Sequence, residues 1–225
     1  SVDKQPIDQA RELRARRADG RAAQRARILD ALYAVMSSSG AANASVSDIA
    51  EAAGIARGAL HYYFDSKDEI VCALMRHLGE GYLARMAAFV DKADAKVKAG
   101  ADLDVVAGLV KWHFVGDDDE ATRLLGVWSD FWGQAPTRAD IGAVVLDVQE
   151  QARALCARAL VLRRPDLATV DAAQLRLIGA SLLAIIEGGL LQWRIAARPR
   201  ADGLAALAIE RASFGDALAA AASAF

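Results

Sequence analysis

The sequence predicts an all-α protein of about nine helices, and three observations support that fold class. The chain of 225 residues is rich in Ala, Leu and Arg and contains only four Pro, a composition that favours helices. Apolar residues recur at three- and four-residue spacing, and no run of β-branched residues alternates with period two. Hydrophobic residues make up 54% of the chain, which is enough to bury a sizeable core.

The N-terminal segment divides into a charged stretch and a first helix. Residues 1–20 carry many charges but no apolar stripe, which predicts a flexible basic arm. Residues 1–27 hold eight basic and four acidic side chains, although the formal net charge of the whole chain is −2. Residues 21–38 predict the first helix, because Ile28, Leu32 and neighbouring apolar residues share one face.

Residues 45–53 predict a second, short helix with a defined start and end. Ser45 can cap its N-terminus, and Asp48 lies three residues further on, where an acidic side chain completes a capping box. Gly54 follows the last helical position, where a residue with positive φ ends a helix, and Ile55 can close the corner.

A third helix of about residues 57–63 follows this tight turn. A fourth begins at Ser66, with Glu69 completing a Ser-x-x-Glu box. Two short helices joined by a turn that contains Gly predict a helix-turn-helix, whose second helix enters the major groove of DNA. The motif holds two basic and three acidic side chains. Phosphate contacts would therefore depend on the basic arm, Lys67, Tyr hydroxyls and helix N-termini.

These residues resemble the DNA-binding segment of the TetR family of bacterial repressors. The matching positions are Asp48-Ile49-Ala50, Ala53-Gly54-Ile55, Gly58-x-Leu60, Tyr63-Phe64 and Ser66-Lys67. The sequence departs from the family pattern at Ala56, where a Ser or Thr commonly caps the helix, and at His61, where a Tyr is common. The resemblance implies a helix-turn-helix DNA-binding domain over residues 21–66. It also implies a larger helical domain over residues 67–225 that binds an effector and dimerises.

The residues predicted to contact DNA lie in or beside the motif. They are Ser45, Ser47, Arg57, Gly58, Ala59, His61, Tyr62, Tyr63 and Lys67. Arg57 begins the second helix of the motif, where a guanidinium can reach the edge of a guanine. The resemblance implies that Lys67 contacts phosphate. Tyr63 can reach phosphate or belong to the core, whereas Leu60 and Phe64 are assigned to the core.

The rest of the chain predicts longer helices. They cover about residues 66–92, 103–114, 120–132, 141–162 and 172–195, with a final helix at the C-terminus. The final helix carries two stripes, one apolar and one of small residues. The apolar residues are Leu204, Leu207, Phe214 and Leu218, and the small ones are Ala205, Ala208, Ala212, Gly215, Ala219 and Ala222. One stripe can face the core and the other a partner chain, and the resemblance implies a homodimer through the last two helices.

Aromatic residues and one carboxylate are candidates for the effector site that the resemblance implies. They are Trp112, Phe114, Trp128, Phe131, Trp132, Glu187 and Trp193. Aromatic side chains with a few polar groups suit a pocket for a small, largely apolar molecule, although any one of them can instead be core. Glu187 lies in an apolar helix, where a carboxylate is costly unless it meets a cation, a ligand or a partner residue. A salt bridge to a nearby Arg is the alternative.

Other function classes find no support in the sequence. The three histidines lie in separate elements, and no hydrolase, phosphate-loop or Cys/His metal motif is present, so no enzyme activity, metal or cofactor is predicted. The most apolar run, residues 178–191, contains Glu187 and is shorter than the roughly 20 residues of a membrane span. The polar N-terminus does not resemble a signal peptide. A cytoplasmic protein with two reduced cysteines is expected.

The sequence therefore predicts a ligand-responsive, DNA-binding transcriptional regulator. It is expected to be a repressor that binds a palindromic operator as a dimer and is released by a small effector. The alternative is a helical ligand-binding or protein-interaction dimer without sequence-specific DNA binding. The acidic motif and the departures at Ala56 and His61 motivate that alternative.

Overall fold

A computed structural model describes residues 5–40, 43–114, 118–196 and 211–223. Within these ranges the chain is helical and contains no strand, which confirms the predicted all-α class. The helices are α1 (Gln5–Ser39), α2 (Val46–Ala52), α3 (Arg57–Tyr63), α4 (Lys67–Lys98), α5 (Val105–Phe114), α6 (Asp118–Gln134), α7 (Ala139–Arg163), α8 (Ala172–Ala196) and α9 (Arg211–Ala222), with a short 3₁₀ helix at Pro165–Thr169.

The chain forms two units, Ser1–Met75 and Arg76–Phe225, which we call the N-terminal and C-terminal units. The boundary lies inside α4, whereas the sequence analysis placed it at the start of that helix. The first two turns of α4 bury Ile70 and Leu74, so they belong to the N-terminal unit.

Helix α1 is longer than predicted. It begins at Gln5, whereas residues 1–20 were predicted to be a flexible arm, and that prediction is wrong for residues 5–20. The side chains of residues 14–22 are exposed, so no apolar stripe marks this part of the helix. Its Ala, Arg, Glu and Gln residues are strong helix formers, which explains a helix that hydrophobic periodicity does not reveal.

Two close helix approaches mark the core of the C-terminal unit. A Cβ on Gly179 of α8 would lie 2.3 Å from the carbonyl oxygen of Arg153 on α7. A Cβ on Gly215 of α9 would lie 2.6 Å from the Cβ of Phe114 on α5. Because glycine has no Cβ, each helix pair can approach this closely.

The small residues of α9 face the core of their own chain. Gly215, Ala219 and Ala222 are buried, while Phe214 and Leu218 are partly buried beside them. The small-residue stripe therefore faces inward at Gly215, Ala219 and Ala222, whereas Ala212 of the same stripe is exposed. Residues 204, 205, 207 and 208 of the two predicted stripes lie outside the described residues.

Helix α8 is apolar over a greater length than predicted. Residues Ala172–Ile195 have a mean hydropathy of 1.5 over their most apolar window, and by length and composition alone they could cross a membrane. The prediction that the apolar run, taken as residues 178–191, is too short for a membrane span is therefore wrong about its length. One side of α8 packs in the core through Leu183, Ile186 and their neighbours, but Leu177, Leu191 and Ile195 stay exposed.

Candidate nucleic-acid interface and ligand cavity

The start of α2 is fixed by the predicted capping box. The Ser45 hydroxyl accepts a hydrogen bond from the Asp48 backbone N–H at 3.1 Å, and the Asp48 carboxylate accepts one from the Ser45 N–H at 2.9 Å. Hydrogen bonding of the Asp48 carboxylate to the side chain and the backbone N–H of Ser45 holds the pKa of Asp48 below its usual value. The box satisfies two N–H groups that would otherwise lack helical partners.

The turn after α2 has the predicted geometry. Gly54 has a φ of +67°, the left-handed conformation that glycine adopts without a Cβ clash. Its N–H donates to the Glu51 carbonyl and the Ile55 N–H donates to the Ala50 carbonyl, each at 3.0 Å. This pair of bonds is a Schellman motif, and it ends α2 so that the chain can begin α3.

Helix α3 exposes one face and buries the other. Arg57, Gly58, His61 and Tyr62 are exposed, Ala59 and Tyr63 are half-buried, and Leu60 and Phe64 are buried. Tyr62 is 69% exposed. The N-cap residue, Ala56, makes no side-chain hydrogen bond. The predicted core assignment of Leu60 and Phe64 is confirmed, and the opposite face of α3 is exposed to solvent.

Two arginines of α1 hold the C-terminal end of α3. Arg21 donates to the Tyr62 carbonyl at 3.2 Å, and its guanidinium lies 5.3 Å from the centre of the Tyr62 ring. Arg25 donates to the Tyr63 carbonyl, and its guanidinium lies 3.9 Å from the centre of the Phe64 ring. From the sequence, both arginines were predicted only to contribute to the basic charge of residues 1–27. Arg25 and Arg21 lie one and two turns before Ile28 in α1. This spacing is the sequence signal from which a contact with the motif could have been predicted.

The start of α4 places a cation beside the motif. The Ser66 hydroxyl accepts from the Glu69 N–H at 3.1 Å, and the Glu69 carboxylate accepts from the Asp65 N–H at 2.6 Å. The Ser-x-x-Glu box is thus present, with its second bond one residue earlier than predicted. Lys67 is half-buried, and Ser45 and Ser47 are exposed.

A cavity of about 390 Å³ lies within the C-terminal unit. Helices α4 to α9 all contribute to its wall. Of the predicted ligand residues, Trp112, Trp128, Trp132 and Glu187 line it. Phe114, Phe131 and Trp193 were predicted with them but are buried in the core instead, because their positions on α5, α6 and α8 point them between packed helices.

The aromatic part of the wall is continuous. The Tyr82 ring centre lies 6.3 Å from those of Trp112 and Trp128, and the Trp128 and Trp132 ring centres are 6.4 Å apart. Phe131 packs against the edge of Trp128 at 6.2 Å. Tyr82 was not predicted as a ligand residue, and its contacts with Trp112 of α5 and Trp128 of α6 reveal it as a cavity residue.

A neutral histidine stands beside this wall. His113 Nδ1 lies 2.8 Å from the Leu109 carbonyl oxygen, and Nε2 lies 3.0 Å from the Tyr82 hydroxyl. A carbonyl can only accept, so Nδ1 carries the proton and Nε2 accepts from Tyr82. Burial, with a smaller effect of the Arg211 charge, lowers the pKa of His113 to about 4. Burial likewise raises the pKa of Tyr82.

Glu187 lines the cavity next to a neutral partner. The Gln149 amide donates to both carboxylate oxygens, at 3.3 and 3.2 Å. Arg153, whose charge acts on Glu187, pairs with Glu150 at 2.5 Å, and Arg176 pairs with Glu150 at 2.6 Å. Burial raises the pKa of Glu187 in spite of the Gln149 hydrogen bond. The predicted salt bridge from an Arg to Glu187 is not among the ion pairs of the described residues.

Arg211 belongs to the cavity wall, whereas the two cysteines lie outside it. Arg211 on α9 is buried, donates to the His113 carbonyl at 2.8 Å, and lies 5.1 Å from the centre of the Trp193 ring. Cys72 and Cys156 are buried and are not joined in a disulfide, and burial raises the pKa of Cys156 to about 12. Within the described residues, no group of three or more His, Cys, Asp or Glu side chains could hold a metal ion.

Comparison with known proteins matches the N-terminal unit to a family. Residues 28–74 match the model described as bacterial regulatory proteins, tetR family. Over 72 residues the chain is 39% identical to the transcriptional regulator TtgR of Pseudomonas putida, which is 31% of this chain and 34% of TtgR. The chain thus spans about a third of the length of this relative.

Solved structures match nearly the whole chain at low identity. A transcriptional regulator from Rhodococcus sp. Rha1 aligns with a TM-score of 0.64 and 21% identity, over 88% of this chain and 95% of that one. The multidrug binding protein EbrR, solved with imidazole, aligns with a TM-score of 0.58 and 23% identity, over 87% and 92%. These similarities establish the fold of both units.

Proposed function

The chain belongs to the TetR family of bacterial regulatory proteins, and on that premise we propose that it is a ligand-responsive transcriptional repressor. The exposed face of α3 carries this proposal. Helix α3 is short, is held by its neighbours through Leu60 and Phe64, and exposes Arg57 and Tyr62, as a recognition helix requires. Because its proposed operator is on bacterial DNA, we also propose that the protein is cytoplasmic.

Arg57 is the residue that we assign to base reading, because a guanidinium at the start of a recognition helix can bond a guanine in two places. Gly58 has no atom within 4 Å of where a Cβ would be, so its small size is not required by the packing of this chain. We infer that it lets the DNA approach the helix backbone closely. Lys67, Ser45, Ser47 and Tyr62 are assigned to phosphates, with Ala59, His61 and Tyr63 at the edge of the contact.

The first experiment is selection of bound duplexes from a random library, followed by fluorescence anisotropy. We expect a palindrome whose half-sites are about 34–36 Å apart, which is one turn of DNA. Arg57→Ala is expected to weaken binding at least about tenfold and to relax the base preference at one position in each half-site. Lys67→Ala should weaken binding to all sequences alike, and the salt slope should fall by about one unit for each phosphate that is no longer neutralised.

The matched control is Arg76→Ala, which removes an exposed arginine outside the N-terminal unit. It should leave both affinity and sequence preference unchanged. If the protein bound all duplexes weakly and with equal affinity, the proposal of a transcriptional regulator would be rejected. A ligand-binding dimer without sequence-specific DNA recognition would then be favoured.

We further propose that the chain dimerises through α8. Leu177, Leu191 and Ile195 are 69%, 42% and 65% exposed, and with Ser181, Ala184 and Gly188 they follow one stripe at helical spacing. An exposed apolar stripe of this length marks an interaction surface. A second copy is the occupant that we favour, since a palindromic operator requires a symmetric dimer.

Sedimentation velocity of Leu191→Glu tests the dimer. A buried charge on both sides of a two-fold interface should shift the protein to monomer. Ala88→Glu, which adds the same charge to an exposed position of α4, is the control and should remain dimeric. A wild-type monomer that instead floats with lipid vesicles would contradict the interface and show that α8 meets a membrane.

The cavity supplies the effector site of this proposal. Its volume of about 390 Å³ lies within the range of small-molecule sites. A ligand that favours one conformation of the dimer would change the operator affinity by its difference in affinity for the two conformations. Titration of the protein–operator complex with a cavity ligand should release the DNA. An operator affinity that is the same with and without bound ligand would refute the switch.

A further inference from the structure

The wall of the cavity contains a carboxylate that its own chain leaves largely uncompensated. Glu187 receives two hydrogen bonds from the neutral amide of Gln149. Arg153, which bonds Gln149, pairs with Glu150, and so does Arg176. Burying an ionised carboxylate costs free energy unless a charge or several hydrogen bonds compensate it. A glutamine would make a neutral contact here at a lower cost, so the charge calls for a function.

The surroundings of Glu187 suit a positive charge with an apolar body. Trp112, Trp128 and Trp132 line the same cavity, and indole rings attract cations through their faces. The Tyr82 hydroxyl donates its proton to His113, so it offers the cavity only acceptor lone pairs. The remaining wall is mainly Leu, Ile, Val and Ala, which would cover alkyl or aryl groups.

Two arginines, Arg85 and Arg211, also line the cavity. Arg211 donates to the His113 carbonyl and stacks on Trp193, and Arg85 is exposed on α4. The arginine whose charge acts on Glu187 is Arg153, which lies behind Gln149 and bonds its amide oxygen at 3.5 Å. The negative end of the cavity is thus at Glu187.

We propose that the effector is an organic cation, with an ammonium or quaternary ammonium group held between Glu187 and the indole rings and an apolar group filling the rest of the cavity. This inference rests on the proposed function, because it names the class of ligand that occupies the proposed effector site. It depends on the presence of one carboxylate and three tryptophans, contributed by α5, α6 and α8, in the wall of one cavity.

Three probes of similar size test the charge by calorimetry and by quenching of tryptophan fluorescence, without DNA. They are benzyltrimethylammonium, its neutral carbon analogue 2,2-dimethylpropylbenzene, and phenylacetate. We expect the wild-type protein to bind the cation at least about tenfold more tightly than the other two, since a desolvated cation gains from both the carboxylate and the rings. Glu187→Gln should lose that preference while its affinity for the neutral analogue stays within about twofold.

The matched control is Glu80→Gln, the same substitution at an exposed position of α4 outside the cavity. It should bind all three probes as the wild type does. A neutral or anionic probe that binds as tightly as the cation, a cation affinity unchanged in Glu187→Gln, or no binding of the cation at millimolar concentration would each overturn the proposal. Operator binding is measured separately, so a failure here leaves the DNA-binding proposal standing, and the converse also holds.

Discussion

The residues of the N-terminal unit that we propose to contact DNA come from one stretch, residues 45–67, and short-range hydrogen bonds fix the helix ends within it. Ser45 with Asp48, Gly54 with Glu51, and Ser66 with Glu69 each join residues three apart. The cavity of the C-terminal unit is lined from Tyr82 to Arg211 by six helices. Its residues meet only because the helices pack at close range, so its shape depends on tertiary contacts.

The difference shows where sequence reasoning is strong. A cap or a turn is a local rule that acts on neighbouring residues, and such rules can be read before the fold is known. A cavity wall has no local signature. The comparison also predicts which substitutions each unit tolerates, from the largest expected effect to the smallest.

Gly179→Ala should have the largest effect, because a Cβ there would meet the Arg153 carbonyl oxygen at 2.3 Å. We expect a loss of about 3 kcal/mol in the free energy of unfolding, at the upper end of the range for overpacking. The measurement is urea unfolding at fixed protein concentration, followed by the fluorescence of the four tryptophans, all of which lie in the C-terminal unit.

A Gly-to-Ala substitution in the N-terminal unit should increase stability, whereas the one at Gly179 should decrease it. Gly20 lies inside α1 with no atom within 4 Å of a Cβ position. Gly20→Ala should therefore add about 0.5–1 kcal/mol to helix stability, measured by circular dichroism. If Gly179→Ala were harmless, α7 and α8 would not approach as closely as the structure has them.

Acid should destabilise the C-terminal unit through His113. Its pKa in the folded chain, about 4, is below the ordinary value of 6.5, so the unfolded chain binds the proton more tightly. Stability is then full above pH 6.5 and falls as the pH drops towards 4. Between pH 7.5 and pH 5 the loss attributable to this group is about 2 kcal/mol, measured by urea unfolding at each pH.

His113→Gln should remove this pH dependence, whereas His77→Gln, at an exposed position of α4, should retain it. The pH range stays above the region where most carboxylates titrate. An identical slope in wild type and His113→Gln would mean that the histidine is not held neutral by burial.

Removal of the cap of α2 should have a smaller, local effect. Ser45→Ala loses the hydroxyl that accepts from Asp48 and should cost about 1 kcal/mol. Ser47→Ala, which changes an exposed side chain in the same helix, is the control and should be near neutral. Hydrogen exchange of the α2 amides is the measurement, and equal exchange in both variants would mean that the capping box does not stabilise this helix.

The extent to which the structure could be predicted follows the same division. The helix-turn-helix, both boxes, the glycine turn and the core roles of Leu60 and Phe64 followed from residue type and spacing. The helical character of residues 5–20 did not, because exposed Arg and Ala leave no periodic stripe. Nor could Arg25 be assigned, since its contacts with Tyr63 and Phe64 cross 38 or more residues.

The cavity was predictable as a set of candidate residues but not as a surface. Three of the six predicted aromatic residues line it, because periodicity gives the face of a helix without saying which helix covers that face. Gln149 and Tyr82 were not proposed, since neither is unusual in its own helix. Glu187 was found because a carboxylate in an apolar helix violates a local expectation.

Glu187→Gln should change stability least, and in the direction opposite to an ordinary structural carboxylate. The folded-state pKa of Glu187 is raised by burial, so the folded chain binds its proton more tightly than the unfolded chain. The penalty for the ionised form is present above that pKa and disappears as the pH falls below it. At pH 7 the substitution should therefore leave the free energy of unfolding unchanged or raise it by up to about 1 kcal/mol.

Glu150→Gln provides the contrast, one helix away. The arginines Arg176 and Arg153 hold the pKa of Glu150 below its usual value, so its charge stabilises the fold above that pKa and the substitution should lower stability at pH 7. Thermal unfolding of both variants at pH 7 and pH 5 measures the difference. If the charge of Glu187 destabilises the fold at neutral pH and its removal abolishes cation binding, the carboxylate serves the ligand site. If Glu187→Gln were as destabilising as Glu150→Gln, its charge would instead serve the packing of α7 against α8.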